Sequence, residues 1–173
     1  MRVTDLTTRA LTFATAAHAA VGQKRKYSGE DYIVHPIDVA RLVYNYGGTD
    51  VQIAAAYLHD VVEDTNVTID LIYAQFGNDV GDAVAGLTDV SIPSDGNRKI
   101  RKAIDRAHSA DANYNSQFVK CADIISNGID IKRNDPSFAI VYIREMQLLL
   151  DVLDKVQDTD IFKAAKAVVN HGL

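Results

Sequence analysis

A single cysteine, Cys121, excludes an internal disulfide, and its place in an apolar helical run predicts a small buried thiol rather than a nucleophile. No apolar stretch is long and uninterrupted enough to cross a bilayer, so no membrane association is expected. The first residues, Met1-Arg2-Val3-Thr4-Asp5, lack a basic segment leading into a long apolar block. No secretory leader is therefore expected, and the cytoplasm is the expected compartment. Basic charge is scarce: 18 Lys and Arg against 23 Asp and Glu give a net charge of −5. That balance speaks against a general nucleic-acid binder, which usually carries a strongly basic surface. Alternating β-branched segments bounded by turns are also scarce, which leaves little room for a sheet.

What remains is helical periodicity over ordinary globular composition, 47% hydrophobic and 24% charged in 173 residues. The prediction is one all-α domain spanning 1–173, a helical bundle large enough for a substantial core. Helices are expected at about 5–21, 36–46, 50–64, 68–76, 78–90, 97–109, 116–132, 136–156 and 159–170. Pro36 suits a first helical turn, Gly47-Gly48 ends that helix, Thr68 caps another, and Asp135-Pro136 supplies a cap followed by a pre-set φ. The stretch 90–96 reads as the clearest long loop.

Ionisable residues concentrate in Leu58-His59-Asp60-Val61-Val62-Glu63-Asp64-Thr65. On a continuous helix, His59, Asp60, Glu63 and Asp64 would project from neighbouring parts of one face. Three carboxylates at a helix C-terminus repel one another and the helix dipole, a conflict that a cation would resolve and that solvation alone could also ease. His35 stands before Pro36 at a helix entrance. Asp123 interrupts an apolar helical run and needs a partner, a metal or a basic side chain, with Asn127 one turn later on the same side. His18, His108 and His171 read as structural histidines. The one dense basic cluster, Gln23-Lys24-Arg25-Lys26, falls in a loop.

The order His35, His59-Asp60, Asp123 resembles the H…HD…D signature of the HD superfamily of phosphohydrolases. With Arg25-Lys26, Ser28-Gly29-Glu30, Tyr32-Ile33, His35-Pro36, the HDxxED element and Lys120-x-Ala122-Asp123-x-x-x-Asn127, the chain is similar over about 5–156 to the hydrolase domain of the RelA/SpoT alarmone enzymes. It is especially similar to stand-alone small alarmone hydrolases, including the metazoan SpoT homologues. No segment corresponds to a synthetase domain.

The resemblance implies one divalent cation, Mn²⁺ by precedent and by the oxygen ligands, held by His35, His59, Asp60 and Asp123. It implies a catalytic acidic pair in Glu63 and Asp64, purine contacts from Arg25 and Lys26, and a ribose contact from Asn127. It points to diphosphate contacts near Lys99, Arg101 and Arg144. The implied reaction removes the 3′-pyrophosphate from guanosine 3′,5′-bisdiphosphate or its pentaphosphate relative. The alternatives are another nucleotide (a dNTP, a nucleoside monophosphate, an adenosine alarmone or NADPH) or a catalytically idle nucleotide-binding module. The expected partner is a small-molecule nucleotide, with homo-oligomerisation open. Two departures stand out. Asp123-Ile124-Ile125-Ser126-Asn127 replaces the family's Asp-Arg-Leu-His-Asn, and Tyr27 adds a residue to the loop after Arg25-Lys26.

Overall fold

The computed structural model describes residues 4–170, which form ten α-helices and two short 3-10 turns, with no strand longer than an isolated bridge between Lys24 and Asp31. The helices are α1 (Asp5–Ala20), α2 (Val34–Asn45), α3 (Asp50–Leu58), α4 (Val61–Asp64), α5 (Ile69–Phe76), α6 (Asn78–Leu87), α7 (Arg98–Asp111), α8 (Tyr114–Asn134), α9 (Pro136–Leu150) and α10 (Asp160–Asn170). The all-α prediction holds. Among the described residues no helix is long and apolar enough to cross a membrane. His171 lies outside the described residues.

Local chemistry explains most boundaries. Thr49 Oγ1 accepts from Gln52 N while Gln52 Oε1 accepts from Thr49 N, a reciprocal cap that starts α3. Thr68 caps α5 as predicted, and Asp135 Oδ1 accepts from Phe138 N at 3.1 Å to start α9 at Pro136. Gly47 leaves α2 with φ near +80°, a conformation that costs a residue with a Cβ. The loop 90–96 contains one 3-10 turn, Pro93–Asp95.

Helix α3 is the central rod. Gln52 through Leu58 are all buried, and Ala54-Ala55-Ala56 let neighbouring helices approach closely. α1, α2, α6 and α8 all pack against α3, α2 also packs on α8, and α8 carries α9 and α10. Cys121 sits at zero exposure inside this core, and burial raises its thiol pKa to about 12, in keeping with an inert core residue.

The helix predicted over 50–64 is broken in two. α3 stops at Leu58, His59 and Asp60 form a turn, and the chain restarts as α4. Neither Gly nor Pro causes this. His59 Nδ1–H donates to the Ala56 carbonyl at 2.8 Å, the carbonyl that a continuous helix pairs with the Asp60 amide, and the Asp60 backbone flattens to ψ −4°.

Candidate metal centre and active-site cavity

The turn delivers two side chains that α3 alone could not present. Four donor atoms converge where α2, the α3–α4 turn and α8 meet. His35 Nε2 lies 3.1 Å from Asp123 Oδ1 and 3.7 Å from Asp60 Oδ2, and His59 Nε2 lies 3.0 Å from Asp60 Oδ2 and 3.6 Å from Asp123 Oδ1. Bonds of about 2.1 Å set neighbouring ligands about 3.0 Å apart in an octahedron and about 3.4 Å apart in a tetrahedron, and this spacing fits such a shell. The ligand atoms of His35, His59 and Asp123 all lie within 4.8 Å of one another. His35 stands inside the first turn of α2 rather than ahead of it.

The surroundings fit a cation as well as the spacing does. A carbonyl can only accept, so the Ala56 contact fixes the His59 proton on Nδ1 and turns the Nε2 lone pair inward, where this buried atom has no hydrogen-bond partner. His35 Nδ1 meets Ser126 Oγ at 3.2 Å, so the serine that departs from the family pattern touches a ligand histidine. Asn127 Nδ2 donates to Asp123 Oδ1 at 2.7 Å, and Tyr32 OH donates to Asp60 Oδ2 at 2.6 Å. Burial alone would depress the His59 pKa, but Asp60 and Asp123 override it and hold it well above the ordinary value, so a cation bound at Nε2 takes the place of a proton. Burial likewise opposes ionisation of Asp60, yet His59 holds its pKa down to about 2. Two buried imidazoles facing two ionised carboxylates form a mixed nitrogen and oxygen site that a divalent cation neutralises. Asp123's close partners are His35, His59 and Asn127, as the metal reading requires.

The acidic pair is split. Glu63 faces a cavity of about 210 Å³ whose lining includes Asp60, Asp123, Asn127 and Lys120. Its Oε1 accepts from Asp89 N at 2.6 Å. The crowded carboxyl is pushed up to about 7 by burial and by Asp89, with Lys120 pulling the other way. Asp64 turns instead toward the loop after α1, where Gln23 Nε2 donates to its Oδ2 at 2.8 Å. The one-face arrangement expected of a continuous helix is therefore corrected: the break at His59–Asp60 sends the two carboxylates to different neighbours.

The basic residues of the cavity are Arg98, Lys102, Arg106 and Lys120. Lys99, Arg101 and Arg144, expected near the diphosphates, are not among its lining residues; Lys99 and Arg144 are exposed. Arg98, Lys102 and Arg106 recur every four residues along α7, a period legible in the sequence once the helix phase is known. Lys102 Nζ lies 2.7 Å from Asp89, and Arg98 makes a two-point contact with Glu145. Arg25 and Lys26 stand away from this cavity. Arg25 pairs with Asp130 and lines a separate hollow that includes His35 and Ser126, while Lys26 Nζ lies 3.4 Å from Asp135. The structural reading of His108 is borne out by Nε2 meeting the Ala85 carbonyl at 2.9 Å.

Comparison with known proteins follows the geometry. The HD domain family matches residues 10–121. A guanosine-3′,5′-bis(diphosphate) 3′-pyrophosphohydrolase, MESH1, of Xenopus tropicalis is 38% identical over 73% of this chain and 70% of that protein. The human MESH1 is 37% identical over 73% of this chain and 70% of its own length. A probable enzyme of the same activity from Synechocystis is 48% identical over 48% of the chain, but only 10% of that larger protein is covered. The solved structure of a metazoan SpoT orthologue that hydrolyses ppGpp superposes with a TM-score of 0.82 at 23% identity, covering 97% of this chain and 96% of that one. It shares the fold. On the matched span, and on the convergence of His35, His59, Asp60 and Asp123, this chain belongs to the HD-domain family.

Proposed function

We propose that the protein is a metal-dependent 3′-pyrophosphohydrolase acting on guanosine 3′,5′-bis(diphosphate) or its pentaphosphate relative, giving GDP or GTP and pyrophosphate. The observation that carries this reading is the meeting of the four-donor cluster with a cavity that presents Glu63 beside Lys120 and three further basic side chains from α7. Similarity to the MESH1 pyrophosphohydrolases supports the choice of nucleotide. The whole chain acts as one catalytic domain, in the cytoplasm.

His35, His59, Asp60 and Asp123 hold the cation, for which Mn²⁺ is the first choice given the carboxylate ligands. When bound, the cation supplies an acidified water and a counter-charge for the reacting phosphate. Glu63 accepts the proton of the attacking water. A carboxylate with a pKa near 7 is a far better base at neutral pH than one near 4, and Lys120 keeps enough of it ionised to act. Water adds to the phosphorus bound to the 3′-oxygen and the bond between them breaks; the freed 3′-oxygen takes up the proton that Glu63 removed from the water and becomes the 3′-hydroxyl of GDP or GTP, and the water oxygen leaves on the pyrophosphate. Asp64, held by Gln23, orients the same water from the opposite side of the turn. Asn127 fixes the Asp123 carboxylate through its amide and contacts the ribose beyond it. Arg98, Lys102 and Arg106 meet the remaining phosphates, and Arg25, from the neighbouring hollow, flanks the base together with Lys26.

Pyrophosphate release from guanosine 3′,5′-bis(diphosphate) by the Mn²⁺-loaded protein tests the reading, run against chelator and a panel of dNTPs, nucleoside monophosphates, adenosine alarmones and NADPH. Selective, chelator-sensitive release supports it. Turnover of another panel member moves the substrate while keeping the metal site, and nucleotide binding without turnover overturns the enzymatic reading.

A further inference from the structure

His18 reads from the sequence as an ordinary core histidine, and its burial, at 2% exposure on the inner face of α1, agrees. Its hydrogen bonding does not. A core histidine normally satisfies both ring nitrogens. Here Nε2 has no partner within the protein, and the ring's only hydrogen bond runs from Nδ1 to Gln23 Oε1 at 2.7 Å. Gln23 in turn donates Nε2–H to Asp64 Oδ2 at 2.8 Å. The chain His18–Gln23–Asp64 thus ends on a carboxylate four residues after the metal-ligating Asp60.

The direction of each bond is fixed by elimination. Asp64 as a carboxylate can only accept, so the Gln23 amide points its NH₂ at Asp64 and its oxygen at His18. An amide oxygen can only accept, so His18 carries its proton on Nδ1. Burial lowers the His18 pKa, which keeps the ring neutral and in the state this pattern needs. Tyr32 packs against the other side of the arrangement, its ring centroid 4.9 Å from that of His18 and its hydroxyl on Asp60. Gln23 itself lies in the loop after α1, where nothing but these two contacts sets its amide orientation.

We infer that His18 is a positioning residue for the hydrolytic reaction: it locks the flip state of the Gln23 amide, which fixes the direction of the Asp64 carboxylate four residues after Asp60. The inference rests on the role assigned to Asp64 under the proposed function. Without the His18 donor the Gln23 amide is free to rotate, and the carboxylate loses its fixed direction. His18 makes no hydrogen bond to a proposed metal ligand, and the Tyr32 hydroxyl still holds Asp60 when His18 is replaced by a side chain that fills its place, so the metal stays bound and the loss falls on turnover.

The test compares His18→Leu, Gln23→Leu, the double variant and His18→Asn, whose amide nitrogen can replace Nδ1–H. In Mn²⁺-loaded protein, His18→Leu and Gln23→Leu each lower kcat about 10- to 100-fold with KM nearly unchanged, the scale of lost outer-sphere support. The double variant is no worse than either single one, because both cut the same chain. His18→Asn retains most of the activity, and elemental analysis finds wild-type metal content throughout. Wild-type kcat in His18→Leu, or losses that multiply in the double variant, overturns the inference. A second readout needs no substrate: the side-chain amide resonance of Gln23 in Zn²⁺-loaded protein moves in both His18→Leu and Asp64→Asn. An unmoved resonance overturns the chain of contacts, even if the wild type fails to release pyrophosphate and the proposed function falls. If His18→Leu does not fold, Gln23→Leu and Asp64→Asn carry both tests.

Discussion

Replacing Lys120 by Met keeps the aliphatic stem and removes the one ammonium whose charge reaches Asp60, Glu63, Asp89 and Asp123 together. The pKa of Glu63 is pushed to about 7 with Lys120 already opposing the shift, so the variant pushes it higher. An opposite charge close by is worth about one to three pKa units, and a carboxylate at a solvent-facing rim stands at the low end of that range. A rise of about one unit takes the ionised fraction at pH 7 from about a half to about a tenth, so a reaction that needs ionised Glu63 slows about fivefold there. The loss shrinks above pH 8 and grows toward tenfold near pH 6. A bound cation draws the midpoint down in both proteins, which makes the displacement between them the quantity to measure. The assay is the pH dependence of pyrophosphate release from pH 5.5 to 9 by wild type and Lys120→Met, each saturated with Mn²⁺. The acidic limb moves up by about one unit, and Glu63→Gln loses that limb together with most of the rate. Coincident limbs in wild type and Lys120→Met refute the assignment of Glu63 as the base.

Asp123→Ala and His59→Ala each remove a donor atom from the cluster, and elemental analysis of the dialysed proteins finds the stoichiometric metal gone. In the wild type, metal at about a thousand times its dissociation constant adds about 4 kcal/mol to folding, so chelation lowers the calorimetric midpoint by about 10 °C, a drop absent from Asp123→Ala. Arg106→Ala raises KM about tenfold through loss of a charged contact to phosphate, while Arg144→Ala, on an exposed surface, leaves KM in place. Away from the cavity, Ile161→Ala empties a fully buried position on α10 and costs about 2–5 kcal/mol in denaturant unfolding, with kcat retained. Thr49→Ala removes the reciprocal cap of α3 and costs about 1 kcal/mol.

The helices and their caps were legible because the signals that set them are local: Thr68 before its helix, Asp135 before Pro136, Gly47 at a positive φ. The proposed metal ligands were legible as a set only through the family pattern, since each alone has an ordinary structural reading. The break at His59–Asp60 was hidden because it comes from a side chain taking over a helix carbonyl, which leaves no turn residue behind. The cavity face of α7 was hidden for a different reason. This helix buries Asp105 and Ser109 while Ile100 and Ile104 remain 47% and 36% exposed, so hydrophobic periodicity points to the wrong side. Asp105 is occupied by the Val90 and Ser91 amides and the Ser91 hydroxyl, contacts made when the loop leading into α7 folds back on it.

That inverted helix divides the molecule into separate parts. The cation's ligands come from α2, the α3–α4 turn and α8, all locked into the core, whereas the opposite wall of the cavity is carried by α7 and α9. Substitutions along α7 therefore change the shape and charge of the cavity wall without touching the elements that carry the four donor atoms.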